Sequence, residues 1–247
     1  MQRYFANQDH NRFHIEGDDF HHIVRVMRMN MGEQIICVNK DQQAAICTIE
    51  EITDEQVAAK VVQWIEEASE LPIHVTIVSG LPKGDKLEWI IQKGTELGAK
   101  LFIPFTSARS VIKWDGKKAE KKLIRWNKIA KEAAEQSHRQ TIPKVMDPIN
   151  IKQLIQLGQS YDAKLIAFEE EAKIGEASIF AKTLDTMETG QSLLIVFGPE
   201  GGLSTEEVNQ LKEQGFHCCG LGPRILRTET APLYALSAVS YHYELLR

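Results

Sequence analysis

Residues 192–204 read SLLIVFGPEGGLS. Five consecutive apolar residues, Leu193 to Phe197, stop at a turn that carries Gly198, Gly201 and Gly202. A short apolar run without polar alternation predicts a strand buried on both faces, as in a parallel sheet. The charged segment after the turn is helical in pattern, and Ser204 and Glu207 have the S-x-x-E spacing of a capping box. A strand, a glycine turn and a helix in succession are the unit from which α/β folds are built.

A phosphate is the usual ligand of such a turn, held by backbone N–H groups at a free helix N-terminus. This turn does not suit one. Glu200 puts a carboxylate where phosphate oxygens would sit, and the capping box satisfies the N–H groups that a phosphate needs. Neither the G-K-[ST] ending of a P-loop nor the G-x-G-x-x-G of a dinucleotide fold is present. An open backbone at the glycines still allows a ligand to approach closely, and the acid favours a ligand with positive charge. S-adenosylmethionine, with a sulfonium and an ammonium group, fits that description. The plain alternative is a tight turn that binds nothing.

The same rhythm runs onward from Leu71. HVTIVSG leads to a helix opened by Asp85 and Glu88 at capping-box spacing and closed by Gly98. LFIPFT precedes a long helix from about Lys117 to His138, and AKLIAFE, SLLIVFG and FHCCGLG are further apolar strands. A terminal helix begins with Thr230 as N-cap and Pro232 in its first turn. The expected class is α/β with a parallel sheet. After the last strand comes LGPRILRTETAP, residues 221–232, a second strand-to-helix loop. Two such loops at the carboxyl edge of a sheet face one ligand site, and Leu221, Ile225 and Leu226 offer apolar walls for an adenine ring.

Up to about residue 70 the pattern differs. QRYFA, RFHIEG, EQIICVNK, QAAICTIEEI and QVAAKVVQWIEE predict strands, the third and fourth paired across a turn near Lys40 and Asp41. One helix, DDFHHIVRVMRM, capped by Asp18 or Asp19 and stopped near Gly32, completes a small β-barrel of the kind RNA-binding modules use. The expected domains are residues 1–70 and 71–247.

The chain of 247 residues is 43% hydrophobic and 26% charged, ordinary for globular domains. Residues 1–20 are polar and carry Arg3, Asp9, Arg12 and Glu16, which do not suit a signal peptide. No apolar stretch reaches the roughly 18 residues of a membrane span. Cys37, Cys47, Cys218 and Cys219 form no C-x-x-C pair, so no metal site and a reducing cytoplasm are expected. The net charge is −5, but Ser107–Lys131 holds nine basic residues against Asp115 and Glu120. That window is +7 and the remainder −12, which suits either a polyanion bound at one face or a merely solvated helix surface.

GPEGGLS followed by LGPRILRTETA resembles the SPOUT methyltransferases. With KGDKLEWIIQKGTELGA, RWNKIAKEAAEQSHR and the opening RYF, the chain is similar over nearly its whole length to the bacterial 16S ribosomal RNA uridine-N3 methyltransferases. The resemblance implies a PUA-like β-barrel at residues 1–70 and a SPOUT domain with a deep trefoil knot at 71–247. Knots are nearly absent from proteins, so no general topological rule suggests one. It further implies a cytoplasmic homodimer, without metal or membrane, that acts on 16S ribosomal RNA in the small ribosomal subunit with S-adenosyl-L-methionine as cofactor. Carried onto this sequence, the cofactor residues are Phe168 at the end of LIAFEE and Gly198, Pro199, Glu200, Gly201 and Gly202 in the first loop. In the second loop they are Leu221, Gly222, Ile225, Leu226, Arg227, Thr228, Thr230 and Ala231. Another RNA position, such as a ribose 2′-hydroxyl, is a sibling reading. A non-catalytic ribosome-assembly protein is another, but it would have no use for these loops.

Uridine N3 becomes a nucleophile when its imide proton leaves, and the protein must align the reacting atoms and stabilise the anion. Arg224, Arg227 and Arg139 are candidates for that charge, and Glu229 or Glu132 for the base. An ion pair that only shapes the loop is the alternative for Glu229. Arg3, Arg12, Arg25 and Arg28 on the barrel, the latter two on one helix face, are candidate phosphate contacts. So are Lys117, Lys118, Lys121, Lys122 and Arg125 on the long helix. In the terminal helix Leu233, Ala235, Leu236, Ala238, Val239, Tyr241, Tyr243, Leu245 and Leu246 lie on more than one face, which predicts burial both in the domain and against a partner chain, the alternative being a helix wholly buried within one domain.

Overall fold

The computed structural model describes residues 1–67, 69–110, 116–168 and 178–246, with backbone alone at 116–118 and 178. Two compact units are present: Met1–Glu70 with Ala134–Thr141, and Leu71–Ala133 with Ile142–Arg247.

In the first unit, β1 (Arg3–Phe5), β2 (Asn7–Asp9), β3 (Arg12–Glu16), β4 (Gln34–Val38), β5 (Ala44–Ile52) and β6 (Gln56–Ile65) form one sheet in the order β1-β4-β5-β6-β3-β2. β1 and β2 sit at opposite edges, yet only Ala6 separates them in the chain. Strands lie about 4.8 Å apart, so the edges of a flat six-stranded sheet would be roughly 24 Å apart. Two peptide units reach about 7 Å. The sheet therefore has to curl until its edges nearly meet, and the result is a barrel. Phe13, Ile15, Ile35, Ile49 and Val57 fill it, each at most 1% exposed. The expected β4–β5 turn is present, held by Asn39 Oδ1, which accepts from the N–H groups of Asp41 (3.0 Å) and Gln43 (2.9 Å).

The single helix departs from expectation. α1 (Gly17–His21) has Glu16 rather than an aspartate as N-cap, with no side-chain capping bond from it, and passes into a π-helical turn at His22–Val26. Arg28 lies beyond that turn with φ 54°, a left-handed conformation that ends a helix. Arg25 and Arg28 therefore do not share a helix face.

The segment Ala134–Thr141 belongs to the first unit rather than to the second. Glu70 explains why. Its carboxylate accepts from Arg139 Nε (3.2 Å) and Nη2 and from the N–H groups of Gln140 and Thr141 (3.0 Å each). Arg139 is 2% exposed, and its carbonyl accepts from Arg3 Nη1 at 3.0 Å.

The second unit alternates strand and helix. β7 (His74–Gly80), α2 (Lys86–Glu96), β8 (Leu101–Phe105), α3 (Gly116–Gln136), β9 (Lys144–Val145) and α4 (Ile151–Gly158) come first. Then follow β10 (Ala163–Ala167), α5 (Ser178–Thr186), β11 (Ser192–Phe197), α6 (Thr205–Glu213), β12 (His217–Cys219) and α7 (Thr230–Ser240). The sheet order is β12-β10-β11-β7-β8-β9, and every neighbouring pair is parallel. Both faces are covered, which is why SLLIVF shows no polar alternation. Leu193, Ile195 and Phe197 pack with α2 and α7 on one face. Leu194 and Val196 pack with α4 and α6 on the other. From β7 the chain first builds outward through β8 and β9, then crosses over to β10 and β11. The boundary between β7 and β11 is thus the switch point at which open α/β sheets bind ligands.

Removing the Glu70 carboxylate should leave Arg139 buried without its acidic partner. Glu70→Ala is expected to destabilise the protein by about 3 kcal/mol in urea unfolding, and Glu70→Gln, which keeps an acceptor for the backbone N–H groups, by less. Equal unfolding midpoints for all three proteins would show that Glu70 does not hold this segment.

Candidate functional site

The turn after β11 lies on the end of β7. A Cβ at Gly80 would fall 2.4 Å from Pro199 Cδ, and one at Gly198 would fall 2.8 Å from the carbonyl carbon of Gly202. Gly202 has φ 69° and donates its N–H to the Pro199 carbonyl at 2.8 Å. The helix that follows is capped as its spacing predicts: Ser204 Oγ accepts from the Glu207 N–H, and Glu207 Oε2 accepts from the Ser204 N–H. Glu207 Oε1 also accepts from the Ala108 N–H at 2.7 Å, so the helix start is tied to the loop after β8.

Two cavities open at this edge, of about 390 Å³ and about 100 Å³. They share a wall of Ala167, Phe168, Ile225, Leu226 and Ala231. The larger is completed by the glycine turn, Thr228 and Arg109, and the smaller by Leu221, Gly222 and Arg224. The larger alone falls within the size range of small-molecule sites, and the pair combines an apolar recess with exposed backbone polar groups. That combination suits a flat heterocycle joined to a polar tail.

Charge at the rim is organised by Lys86. Its Nζ lies 2.9 Å from Glu200 Oε1 and 3.7 Å from Glu229 Oε2, so one cation joins both loops. The hydrogen bond to Glu200 holds the Lys86 ammonium above its ordinary value. Burial pushes the Glu200 carboxyl up, but the bonds from Lys86 Nζ and the Lys83 N–H more than offset this and leave it lowered. The Glu200 charge is therefore matched by Lys86 rather than left open. Glu229 Oε2 is buried and has no hydrogen-bond partner among the described residues. Asp85 is the N-cap of α2, as expected, but its side chain makes no capping bond, and Glu88 pairs with Arg125 Nη2 at 2.7 Å.

Of the residues expected to hold the cofactor, all but Arg227 and Thr230 line one cavity or the other. Thr230 is the first residue of α7, and its N-cap is Glu229, not Thr230 itself. Arg224 stands at the smaller cavity, and Arg227 is exposed nearby in the chain. Arg139 does not belong to the site, because it is buried in the first unit against Glu70. Of the two base candidates neither lines a cavity: Glu132 is exposed on α3, and Glu229 stands beside Lys86 at the start of α7. Arg109, Gly80 and Lys86 were not singled out from the sequence. Gly80 alone carried a signal, as a glycine ending an apolar strand.

Among the candidate RNA contacts, Arg3 is 7% exposed and spent on the Arg139 carbonyl, so it is structural. Arg12 pairs with Glu50 at 3.0 Å, while Arg25 and Arg28 are exposed. On α3, Lys121 is exposed, Lys122 lies 6.0 Å from the Trp126 ring centroid, and Arg125 holds Glu88. The Lys117 and Lys118 side chains lie outside the described residues. In the terminal helix, Ala235, Leu236, Val239 and Tyr243 are buried in the unit's own core, and Tyr243 Oη donates to the Leu184 carbonyl at 2.7 Å. Tyr234, Tyr241, Leu245 and Leu246 are 41–71% exposed. Among the described residues, no three His, Cys, Asp or Glu side chains are grouped to hold a metal, and no helix is long and apolar enough to cross a membrane.

Residues 69–240 match the family model of the RNA methyltransferase domain, and residues 15–62 that of the RNA methyltransferase PUA domain. The ribosomal RNA small subunit methyltransferase E of Bacillus subtilis is 57% identical over 253 residues, covering 100% of this chain and 99% of its own. The chain belongs to the ribosomal RNA small subunit methyltransferase E family. The Mycobacterium bovis protein of that name is 34% identical over 91% of this chain and 84% of its own. The Neisseria gonorrhoeae methyltransferase E, solved with S-adenosyl methionine bound, superposes with a TM-score of 0.84 at 26% identity over 98% of each chain. The first unit is thus a PUA-like barrel, and the second carries the methyltransferase fold.

The Lys86–Glu200 pair gives this methyltransferase a defined acid response. Because the Glu200 carboxyl is lowered on folding, its contribution is present above the ordinary value of 4.5 and is lost as pH falls through the folded value. Both side chains are about a third exposed, so solvent screening keeps that contribution to a small amount. Glu200→Gln should flatten the acid limb of a stability–pH curve without altering it at neutral pH beyond that amount; an unchanged acid limb would show the pair to be inert.

Proposed function

We propose that this chain methylates N3 of one uridine in 16S ribosomal RNA, with S-adenosylmethionine held between the turn after β11 and the loop after β12. The observation that carries this reading is the pair of joined cavities, lined by the two glycine-containing loops of a family whose relatives are named ribosomal RNA methyltransferases. The apolar recess of Leu221, Ile225 and Leu226 suits the adenine, and the open backbone at Gly201 and Gly202 suits the polar tail. Bound there, the cofactor supplies an electrophilic methyl group on a sulfonium, so no metal is required. Glu229, the N-cap of α7 with a side chain a quarter exposed and Lys86 3.7 Å from its Oε2, is the proposed acceptor of the N3 proton. Arg224 is the proposed contact to the RNA at the smaller cavity.

Lys121, Arg25 and Arg28 are exposed and suited to phosphates, which position an RNA without reading its sequence. The knot implied by the resemblance, a cytoplasmic location and a substrate within the small ribosomal subunit belong to the same reading. So does a homodimer. The exposed residues Tyr234, Tyr241, Leu245 and Leu246 form an apolar side of the terminal helix that a second copy would cover.

Mass mapping of 16S RNA from a deletion strain tests the function: one uridine should lose a methyl group on its base, and a complete set of methyls would refute the reading. Ala231, on the wall shared by both cavities, tests the cofactor site. Ala231→Leu should weaken S-adenosylmethionine at least ~10-fold in calorimetry while the protein stays folded. Tyr241→Glu with Leu245→Glu should give folded monomers by light scattering, since neither side chain is in the core; an unmodified protein that is already monomeric refutes the dimer.

A further inference from the structure

We propose that Arg109 is a catalytic residue of the methyl transfer: its guanidinium binds a uracil carbonyl oxygen beside N3 and stabilises the anion left when N3 loses its proton. The inference deepens the uridine-N3 reading and rests on it. Among the described residues Arg109 is the cationic side chain that lines the larger cavity, and it comes from the loop after β8, separate from the two loops proposed to hold the cofactor. Its place is fixed with unusual care for an exposed arginine. The Ser110 N–H donates to the Ser107 carbonyl (3.0 Å), and the Ser107 N–H donates to Ser110 Oγ (3.1 Å), closing a turn with Arg109 near its apex. The buried Glu207 anchors that turn through the Ala108 N–H, and Arg109 Nη1 donates to the Gly201 carbonyl at 2.9 Å.

The glycine turn lies in ordinary van der Waals contact with Arg109. A Cβ at Gly201 would lie 3.4 Å from Arg109 Cβ, and one at Gly202 would lie 4.0 Å from Arg109 Nη1. Only Nη1 of the guanidinium is engaged among the described residues, which leaves N–H donors for a ligand. A fixed donor group at the point where charge develops is the arrangement that lowers such barriers most.

The N3 proton passes to Glu229, the N3 electron pair forms the bond to the methyl carbon, and the carbon–sulfur bond breaks with its electrons left on sulfur. The uracil charge, shared by O2, N3 and O4, appears when the proton leaves and falls as the methyl bond forms, so a guanidinium on a carbonyl oxygen favours the ionisation that precedes transfer. It raises the fraction of uridine that is ionised at neutral pH.

The test uses the full chain with Arg109→Gln and Arg109→Lys, and small ribosomal subunits from the deletion strain. Expected for Arg109→Gln is a loss of about 10²-fold in kcat with unchanged calorimetric affinity for S-adenosylmethionine. Its rate–pH curve should rise only at higher pH, and Arg109→Lys should recover part of both. A second readout does not need turnover: ¹⁹F NMR of an RNA fragment with 5-fluorouridine at the target reports N3 ionisation in the bound state. The bound ring should ionise at lower pH with the unmodified protein than with Arg109→Gln. An unmoved pH curve and unmoved ¹⁹F titration, or a rate loss explained by weaker cofactor binding, overturns the proposal. If the unmodified protein places no methyl on N3, it is the uridine reading that fails.

Discussion

The turn after β11 rests on the end of β7 with no room for a side chain between them. A single methyl group at Gly80 would come within 2.4 Å of Pro199, and one at Gly198 within 2.8 Å of the backbone of Gly202. Because that contact is so close, the turn can reach structures that a looser one would miss. Glu200 meets the Lys83 N–H and Lys86 at the start of α2, and the Gly201 carbonyl meets Arg109 after β8. Three separate loops at the carboxyl edge are thereby locked around one cavity. The interaction stabilises little in itself. Its value is geometric, since it fixes the distances on which any ligand at the switch point depends.

The barrel rests on different physics. Its closure follows from chain length, because a one-residue link between edge strands leaves a flat sheet no solution. Its attachment to residues 134–141 is electrostatic, with one carboxylate, Glu70, receiving two backbone N–H groups and a buried guanidinium. Such a buried arrangement adds little net stability over an apolar substitute, but it fails sharply when one partner is removed.

Much of the fold was legible because it rests on periodicity. The unbroken SLLIVF run announced a sheet covered on both faces, and the Ser204–Glu207 spacing announced a capped helix. The same spacing at Asp85–Glu88 misled, because Glu88 was drawn to Arg125, a partner far away in sequence. Arg139, a candidate for stabilising the uridine anion, proved to be the most buried charge in the first unit, since local sequence carries no sign of Glu70. The terminal helix showed apolar residues on two sides, but not which side was core. The structure buries Val239 and Tyr243 and leaves Tyr241 and Leu245 outside. Arg109 was hidden in a basic window, where nothing in the pattern marks one cation as facing a cavity.

Transfer of an isotope-labelled methyl group is the most direct measurement of the central claim. The purified protein is incubated with methyl-labelled S-adenosylmethionine and small ribosomal subunits from a deletion strain, and the RNA is digested to nucleosides for mass spectrometry. Label is expected in 3-methyluridine, one per 16S RNA, and it should appear more slowly with Ala231→Leu at cofactor concentrations that saturate only the unmodified protein. Label on a ribose 2′-oxygen, on another base, or on no nucleoside at all would contradict it.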